Sequence, residues 1–200
     1  PMTFDEDFQF NPNESATLAD RASFAWWSAK LLGGQIFRWD LYDATQAYKH
    51  YLSGTGTPLE INYEKAYNND IAIKVGVNDE ILDAEREAEN LAAGRTSQFS
   101  MTGDADRIYH PETENWQKTI GDHWIWGSAE VSPCGDQFTM TIVIHEKDRY
   151  NFNRGAHDIV TDAPDDVNGR FAVLGWARSF ITNGKVVKTV TWKKGSPVAP

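Results

Sequence analysis

The chain has 200 residues, 40% of them hydrophobic and 24% charged, enough to bury one full core and to make a single domain the default expectation. Eight tryptophans and an aromatic content of 12% exclude intrinsic disorder. A net charge of −10 without any basic stripe argues against nucleic acid as a partner, because a protein that binds it must replace counterions along the phosphate backbone.

Residues 1–13, rich in Asp, Asn and Phe, read as a flexible arm. Their acidic opening shows no signal peptide. Asn13 is placed to cap a helix from Glu14 to about Leu32, whose Leu18, Ala22, Ala25, Trp26, Ala29 and Leu32 keep a 3.6-residue period and which Gly33-Gly34 should end. Lys30 interrupts the longest apolar stretch, which is far short of the ~20 residues a membrane span needs. A second helix is expected from Asp40 to Leu52, stopped by Gly54-Thr-Gly56-Thr-Pro58. Residues 59–76 fit more than one assignment, with Tyr63 to Tyr67 as a short helical candidate. A third helix, capped by Asn78 or Asp79, keeps Ile81, Ala84, Ala88 and Leu91 on one face. Asp83, Glu85, Glu87 and Glu89 lie on the other, as a solvated face would.

Past Gly94 the pattern turns to strands. His123 to Val131 and Gln137 to His145 alternate and are joined by a Ser132-Pro-Cys-Gly-Asp136 turn. Phe138, Met140, Ile142 and Ile144 share one face. Residues 103–115 and 151–169 read as loops, Arg170 to Ile181 as a helix ended by Asn183-Gly184, and Lys185 to Lys193 as a closing strand. Helices followed by strands predict an α+β fold with an antiparallel sheet. The expected organisation is one domain over 14–194, helical over about 14–94 and sheet-rich over about 95–194, with a tail at 195–200. The single cysteine, Cys134, permits neither an intramolecular disulfide nor a cysteine-built zinc site.

The densest chemistry lies in His145-Glu-Lys-Asp-Arg-Tyr-Asn-Phe-Asn-Arg-Gly-Ala-His157-Asp158 and the Asp162-Ala-Pro-Asp-Asp-Val-Asn-Gly169 run after it. A long loop on a rigid sheet is where function concentrates. Asp148, Asp158, Asp162, Asp165, Asp166 and Asn168 are hard oxygen donors suited to Mg²⁺ or Ca²⁺. With His157 they would serve phosphoryl chemistry. The same residues equally serve as turn caps. Trp124 and Trp126 share a strand face that would stack a sugar, meet a membrane surface or fill a second core.

The segment Asp148-Arg-Tyr-Asn-Phe-Asn-Arg-Gly-Ala-His157 resembles the catalytic signature of the colicin M family, Asp-x-Tyr-Asp-Phe-Asn-x-x-x-His-Arg, with Asp148, Tyr150, Phe152, Asn153 and His157 in register. Ala47-Tyr-Lys-His-Tyr-Leu-Ser-Gly-Thr-Gly56 resembles that family's upstream His-Tyr-Leu and paired-glycine segment. The resemblance implies a bacteriocin that cleaves lipid II between the undecaprenyl chain and the pyrophosphate with a divalent cation, in the periplasm of a target cell. It also implies an α+β catalytic domain built on a partly open, barrel-like sheet. Carried over, Asp148, Tyr150 and His157 would be catalytic, and Asn151, Asn153, Arg149 and Arg154 would contact substrate. Asp148, Asp158 and Asp162 would hold the metal.

Two positions depart from the signature: Asn151 stands for its second Asp and Asp158 for its Arg. Asn cannot act as a base, and the lost Arg removes a phosphate partner. Asp158 or Asp162 is expected to replace the carboxylate, and Arg149 and Arg154 the charge. The expected partners are a lipid-linked pyrophosphate at a membrane surface and an immunity protein. The expected location is secreted, or delivered to the target periplasm. Two other readings are a non-catalytic binding or membrane-acting effector using Trp124 and Trp126, and a nuclease using His145, Glu146 and His157, which the negative charge opposes.

Overall fold

A computed structural model describes residues 1–4, 8–108, 110–158 and 162–200. Residues 5–7 of the expected arm, residue 109 of the first expected loop and residues 159–161 of the second lie outside the described residues.

Helix α1 spans Leu18–Phe37. Its N-terminus is fixed by Thr17, whose hydroxyl accepts from the Asp20 amide at 3.1 Å while the Asp20 carboxylate accepts from the Thr17 amide at 2.8 Å, a reciprocal cap. This cap displaces the expected start at Glu14. The helix also runs through Gly33-Gly34 instead of stopping there. A Cβ at Gly34 would lie 3.2 Å from Thr45 Cγ2 of the next helix, so glycine here serves a close crossing and not a helix end. Helix α2 spans Tyr42–Leu52 and follows a 3-10 turn at Trp39–Leu41.

The segment that fitted more than one assignment becomes a short strand, β1 (Leu59–Glu60), and helix α3 (Tyr63–Asn69), capped by Asn62. Helix α4 spans Ile71–Leu91, starting well before Asn78 because Asp70 caps it. One Asp70 oxygen accepts from the amides of Ala72 and Ile73, and the other accepts from the amide and hydroxyl of Thr113. The acidic face of α4 is not uniformly solvated. Glu85 is fully buried and accepts from the Val198 amide at 2.7 Å. Glu89 accepts from Trp192 Nε1 and from the Gly195 amide, so two of these acids fasten the C-terminal segment.

Strands β2 (Phe99–Thr102), β3 (Asp106–Ile108), β4 (His123–Cys134) and β5 (Gln137–Tyr150) follow, with helix α5 (Glu114–Gln117) before β4. The expected helix at Arg170–Ile181 is replaced by helix α6 (Asp165–Val173) and the start of strand β6 (Phe180–Lys193). Asn183-Gly184 lies inside that strand. The sheet order is β1-β6-β5-β4-β2, with β3 paired to β4. Every pairing is antiparallel except β1 with β6, and among the described residues the sheet is not closed. The α+β class with a mostly antiparallel, open sheet therefore holds.

Alternation along β5 sends Phe138, Met140, Ile142 and Ile144 inward. There they meet Ile73, Val77 and Ile81 of α4 and Val186, Val190 and Trp192 of β6 in one core cluster. A second cluster gathers Tyr51 of α2, Phe171 of α6, Phe180 of β6 and Phe8, with Phe24, Trp27, Tyr150 and Phe152 against it. Phe8 is buried, and a Cβ at Gly169 would overlap its ring.

Candidate active site at the end of strand β5

The inner face of β5 changes chemistry along its length. After four apolar residues the same alternation places Glu146, Asp148 and Tyr150 inward, successive members about 7 Å apart along the strand. Register sets Glu146 opposite Ile125 and Gly184, Asp148 opposite Thr182, and Tyr150 opposite Phe180.

Glu146 is buried and accepts from the Thr182 hydroxyl at 2.9 Å through Oε1, while Oε2 has no hydrogen-bond partner among the described residues. Burial pushes its carboxyl up to about 8; the Thr182 bond opposes the shift, and the negative charges of Asp148 and Glu60 add to it. Burial likewise pushes Asp148 up to about 7, against the Arg149 amide and the Arg107 charge, with Asp122 adding. Near neutral pH Glu146 is therefore a protonated acid, and Asp148 is poised between its two forms, the condition a general base or acid requires. The backbone of β6 makes room for this pair: a Cβ on Gly184 would stand 3.0 Å from Glu146 Oε2 and 2.7 Å from the Tyr63 Cβ.

His123 is a structural partner close by. It is fully buried, and burial pushes its imidazole down to about 4. Its Nδ1 lies 2.9 Å from the Gly121 carbonyl and its Nε2 lies 2.8 Å from the Tyr63 hydroxyl. A carbonyl only accepts, so Nδ1 carries the proton of the neutral ring and Nε2 accepts from Tyr63.

Tyr150 closes the strip. Its ring stacks on Phe180 at 4.9 Å and meets Tyr51 and Phe152, each at 5.9 Å. Burial holds its phenol far above the ordinary tyrosine range, with Tyr48, Tyr51, Asp165 and Asp158 adding negative potential. Tyr51 donates to the Asn168 carbonyl at 2.9 Å, and Tyr48 to its side-chain oxygen at 2.6 Å. The two sequence segments that resemble the colicin M pattern, about a hundred residues apart, thus meet here ring against ring. The paired glycines have a role too. Gly54 and Gly56 both take positive φ, and the Arg178 side chain lies where a Cβ on Gly56 would be.

The loop after Tyr150 folds back through short-range bonds. Asn151 donates to Asn153 at 2.9 Å, and the amides of Asn153 and Gly155 donate to Asp165 and Asp166 at the start of α6. Asn151 and Asn153 therefore serve loop geometry. Burial raises Asp165, as do Asp158 and Asp166, while the Asn153 amide and His157 lower it. His157 is half exposed, pairs with Pro164 as a strand bridge, and places Nδ1 3.2 Å from the Asp162 carbonyl and 3.4 Å from its carboxylate. Asp162 sits in the left-handed region with φ 54°, which Asp tolerates better than most residues.

The carboxylates nominated for a metal do not converge. Asp148 lies on the inner face of β5, Asp158 forms an ion pair with Lys118, and Asp162 projects into solvent beside His157. Among the described residues no group of three His, Cys, Asp or Glu side chains is arranged to hold an ion, so these donors do not fit a preformed divalent site. Arg149 takes the strand face opposite Asp148, and Arg154 stacks over Phe8 at 4.7 Å. One cation paired with Asp158 is Lys118, a residue the sequence did not single out.

His145 and Glu146 point to opposite faces, as strand neighbours must, which separates the proposed nuclease residues. His145 stacks on Trp126 at 5.0 Å on the outer face. Trp124, on that face, lies under Arg107 and donates to the Thr3 carbonyl at 3.3 Å. The residues that the sequence did not mark are Glu146 as a partner of Asp148, Thr182 and Lys118. The usable signal was period two: Glu146, Asp148 and Tyr150 continue the apolar series Phe138 to Ile144.

No family model matches the chain, and no curated protein matches it. Solved structures of bacteriocins are among those similar to it. PaeM, a colicin M-like bacteriocin produced by Pseudomonas aeruginosa, shares 15% identity over 77% of this chain and 52% of its own, with a TM-score of 0.47. Truncated bacteriocin syringacin M from Pseudomonas syringae pv. tomato DC3000 shares 18% over 76% of this chain and 60% of its own, with a TM-score of 0.47. A second structure of syringacin M shares 16% over 75% and 52%, with a TM-score of 0.48. The chain spans 52–60% of the length of these colicin M-like bacteriocin structures, to which it is similar.

Proposed function

We propose that this chain is an antibacterial toxin domain that hydrolyses a lipid-linked pyrophosphate such as lipid II. The observation that carries the reading is the meeting of the two signature-like segments: Tyr51 packs on Tyr150 and Phe152 at the end of a strand whose inner face carries Asp148. In this reading Asp148 takes a proton from the attacking water, and its burial keeps that carboxyl basic enough to do so. His157, accessible on the loop, returns a proton to the departing oxygen. Water is thereby added across the bond between the polyprenyl chain and the pyrophosphate, leaving a polyprenol and a pyrophosphorylated headgroup. Tyr150, locked by stacking, positions the strand end and does not titrate. Lys118 offers positive charge beside the loop. The target periplasm and an immunity partner belong to the same proposal.

The test is release of the pyrophosphorylated headgroup from lipid II by the purified chain, with and without Mg²⁺ or Ca²⁺. The reading expects release that Asp148→Ala and His157→Ala abolish, and whose rate rises with pH through about 7 as Asp148 ionises. No release, beside an active colicin M-type control, refutes hydrolysis and favours a non-catalytic effector acting through the Trp124 and Trp126 face.

A further inference from the structure

We propose that the outward face of α1 is a docking surface for a lipid bilayer with anionic headgroups. The helix is apolar on two sides. One side carries Phe24 and Trp27 into the second core cluster. The other side, read at 100° per residue, is a stripe of Leu18, Ala22, Ala25, Trp26, Ala29, Leu32, Ile36 and Phe37 that runs about 28 Å. Sequence periodicity marks this second stripe as a core face, yet no residue of α1 is fully buried. Leu18 is 84%, Trp26 53%, Leu32 60%, Ile36 65% and Phe37 76% exposed. An exposed patch of this continuity marks an interaction surface.

The charges along its borders choose the partner. Arg21 flanks the stripe on one side and Lys30 on the other, and neither forms an ion pair among the described residues. Lys30 instead lies 4.1 Å over the Trp26 ring. The acid of the first turn, Asp20, points inward to Arg170. A chain of net charge −10 thus rims this exposed apolar helix face with cations and turns the acid away. Self-association through this face would oppose like charges along both borders, whereas anionic headgroups neutralise them. An apolar stripe edged by Lys, Arg and Trp is the composition of helices that lie in the membrane interface. Among the described residues no helix is long and apolar enough to cross a membrane, so α1 would lie on the surface.

Flotation of the full chain with phosphatidylethanolamine–phosphatidylglycerol vesicles tests this, with phosphatidylcholine vesicles for comparison. The expected result is co-flotation with the anionic vesicles and a blue shift of tryptophan emission. Leu32→Glu with Ile36→Glu should lower partitioning about ten-fold or more at unchanged Tm, since both positions are exposed. Lys30→Glu should weaken binding to the anionic vesicles. Absence of flotation overturns the proposal. So does a dimer mass by light scattering that the double variant converts to monomer, which would assign the face to a second copy. Cleavage of a soluble short-chain substrate analogue by the double variant should match the unaltered chain. Failure of docking therefore leaves the hydrolytic reading standing, and failure of cleavage leaves docking standing.

Discussion

The two halves of β5 share one backbone, one face and one alternation, and differ only in what the alternation delivers. From Phe138 to Ile144 it delivers apolar side chains that α4 and β6 seal. From Glu146 to Tyr150 it delivers a buried acid, then a half-buried acid and a half-buried phenol, between the same neighbouring strands. Burial of the first half removes apolar surface from water at roughly 25 cal/mol per Å². Burial of the second half works against folding, because it holds Glu146 near 8 and Asp148 near 7. A fold that maximised stability would continue the apolar series. Groups kept at such a cost are the usual mark of chemistry.

The comparison can be broken first at its most consequential residue. His157→Ala should cut headgroup release by about 10² to 10⁴-fold, the range of a lost acid or base, with Tm unchanged because the ring is half exposed. A loss of stability instead would make His157 a loop brace. In the apolar half, Ile142→Ala should cost roughly 2–5 kcal/mol by denaturant melts, while the catalytic rate of the folded fraction stays the same. Similar losses from both halves would erase the distinction between them.

Acidity sharpens it further. With Glu146 raised to about 8, the folded state binds more protons than the unfolded state from about pH 4.5 upward. Stability is therefore fully supported below that pH and is lost as pH rises through 8. Glu146→Gln keeps an acceptor for Thr182 and cannot ionise. Melting curves from pH 5 to 9 should show the variant gaining on the parent, by on the order of a few kcal/mol at the alkaline end. Parallel curves would place Glu146 outside the pair. The smallest effect is expected at Tyr51→Phe, which removes one hydrogen bond to the Asn168 carbonyl and should cost about 1 kcal/mol.

What the sequence disclosed followed from periodicity and local chemistry. The β4–β5 hairpin, the inward series of β5 and the α+β order were all readable, because a strand with one buried face must alternate. The two segments around Tyr51 and Tyr150 were recognisable separately, but their contact depends on how α2 crosses the sheet, which no local pattern encodes. Periodicity also could not tell which apolar face of α1 turns inward, since Phe24-Trp27 and Ala22-Trp26-Leu32 both repeat correctly. Gly184 read as a terminator because a turn and a close strand contact both call for glycine; only the Tyr63 and Glu146 atoms beside it separate the two. The separation of the nominated metal donors has a related reason. Asp148, Asp158 and Asp162 are neighbours along the chain, yet strand alternation, the Lys118 ion pair and a solvent-facing turn send them apart.

The most direct test of the central claim joins both properties in one substitution. Asp148→Asn removes the titrating acid and keeps its size. Headgroup release from lipid II should vanish while Tm at pH 8 stays equal to the parent's or rises, because a buried ionisable group has been neutralised. Retained release together with a lowered Tm would contradict the account and make the acidic half of β5 part of the scaffold.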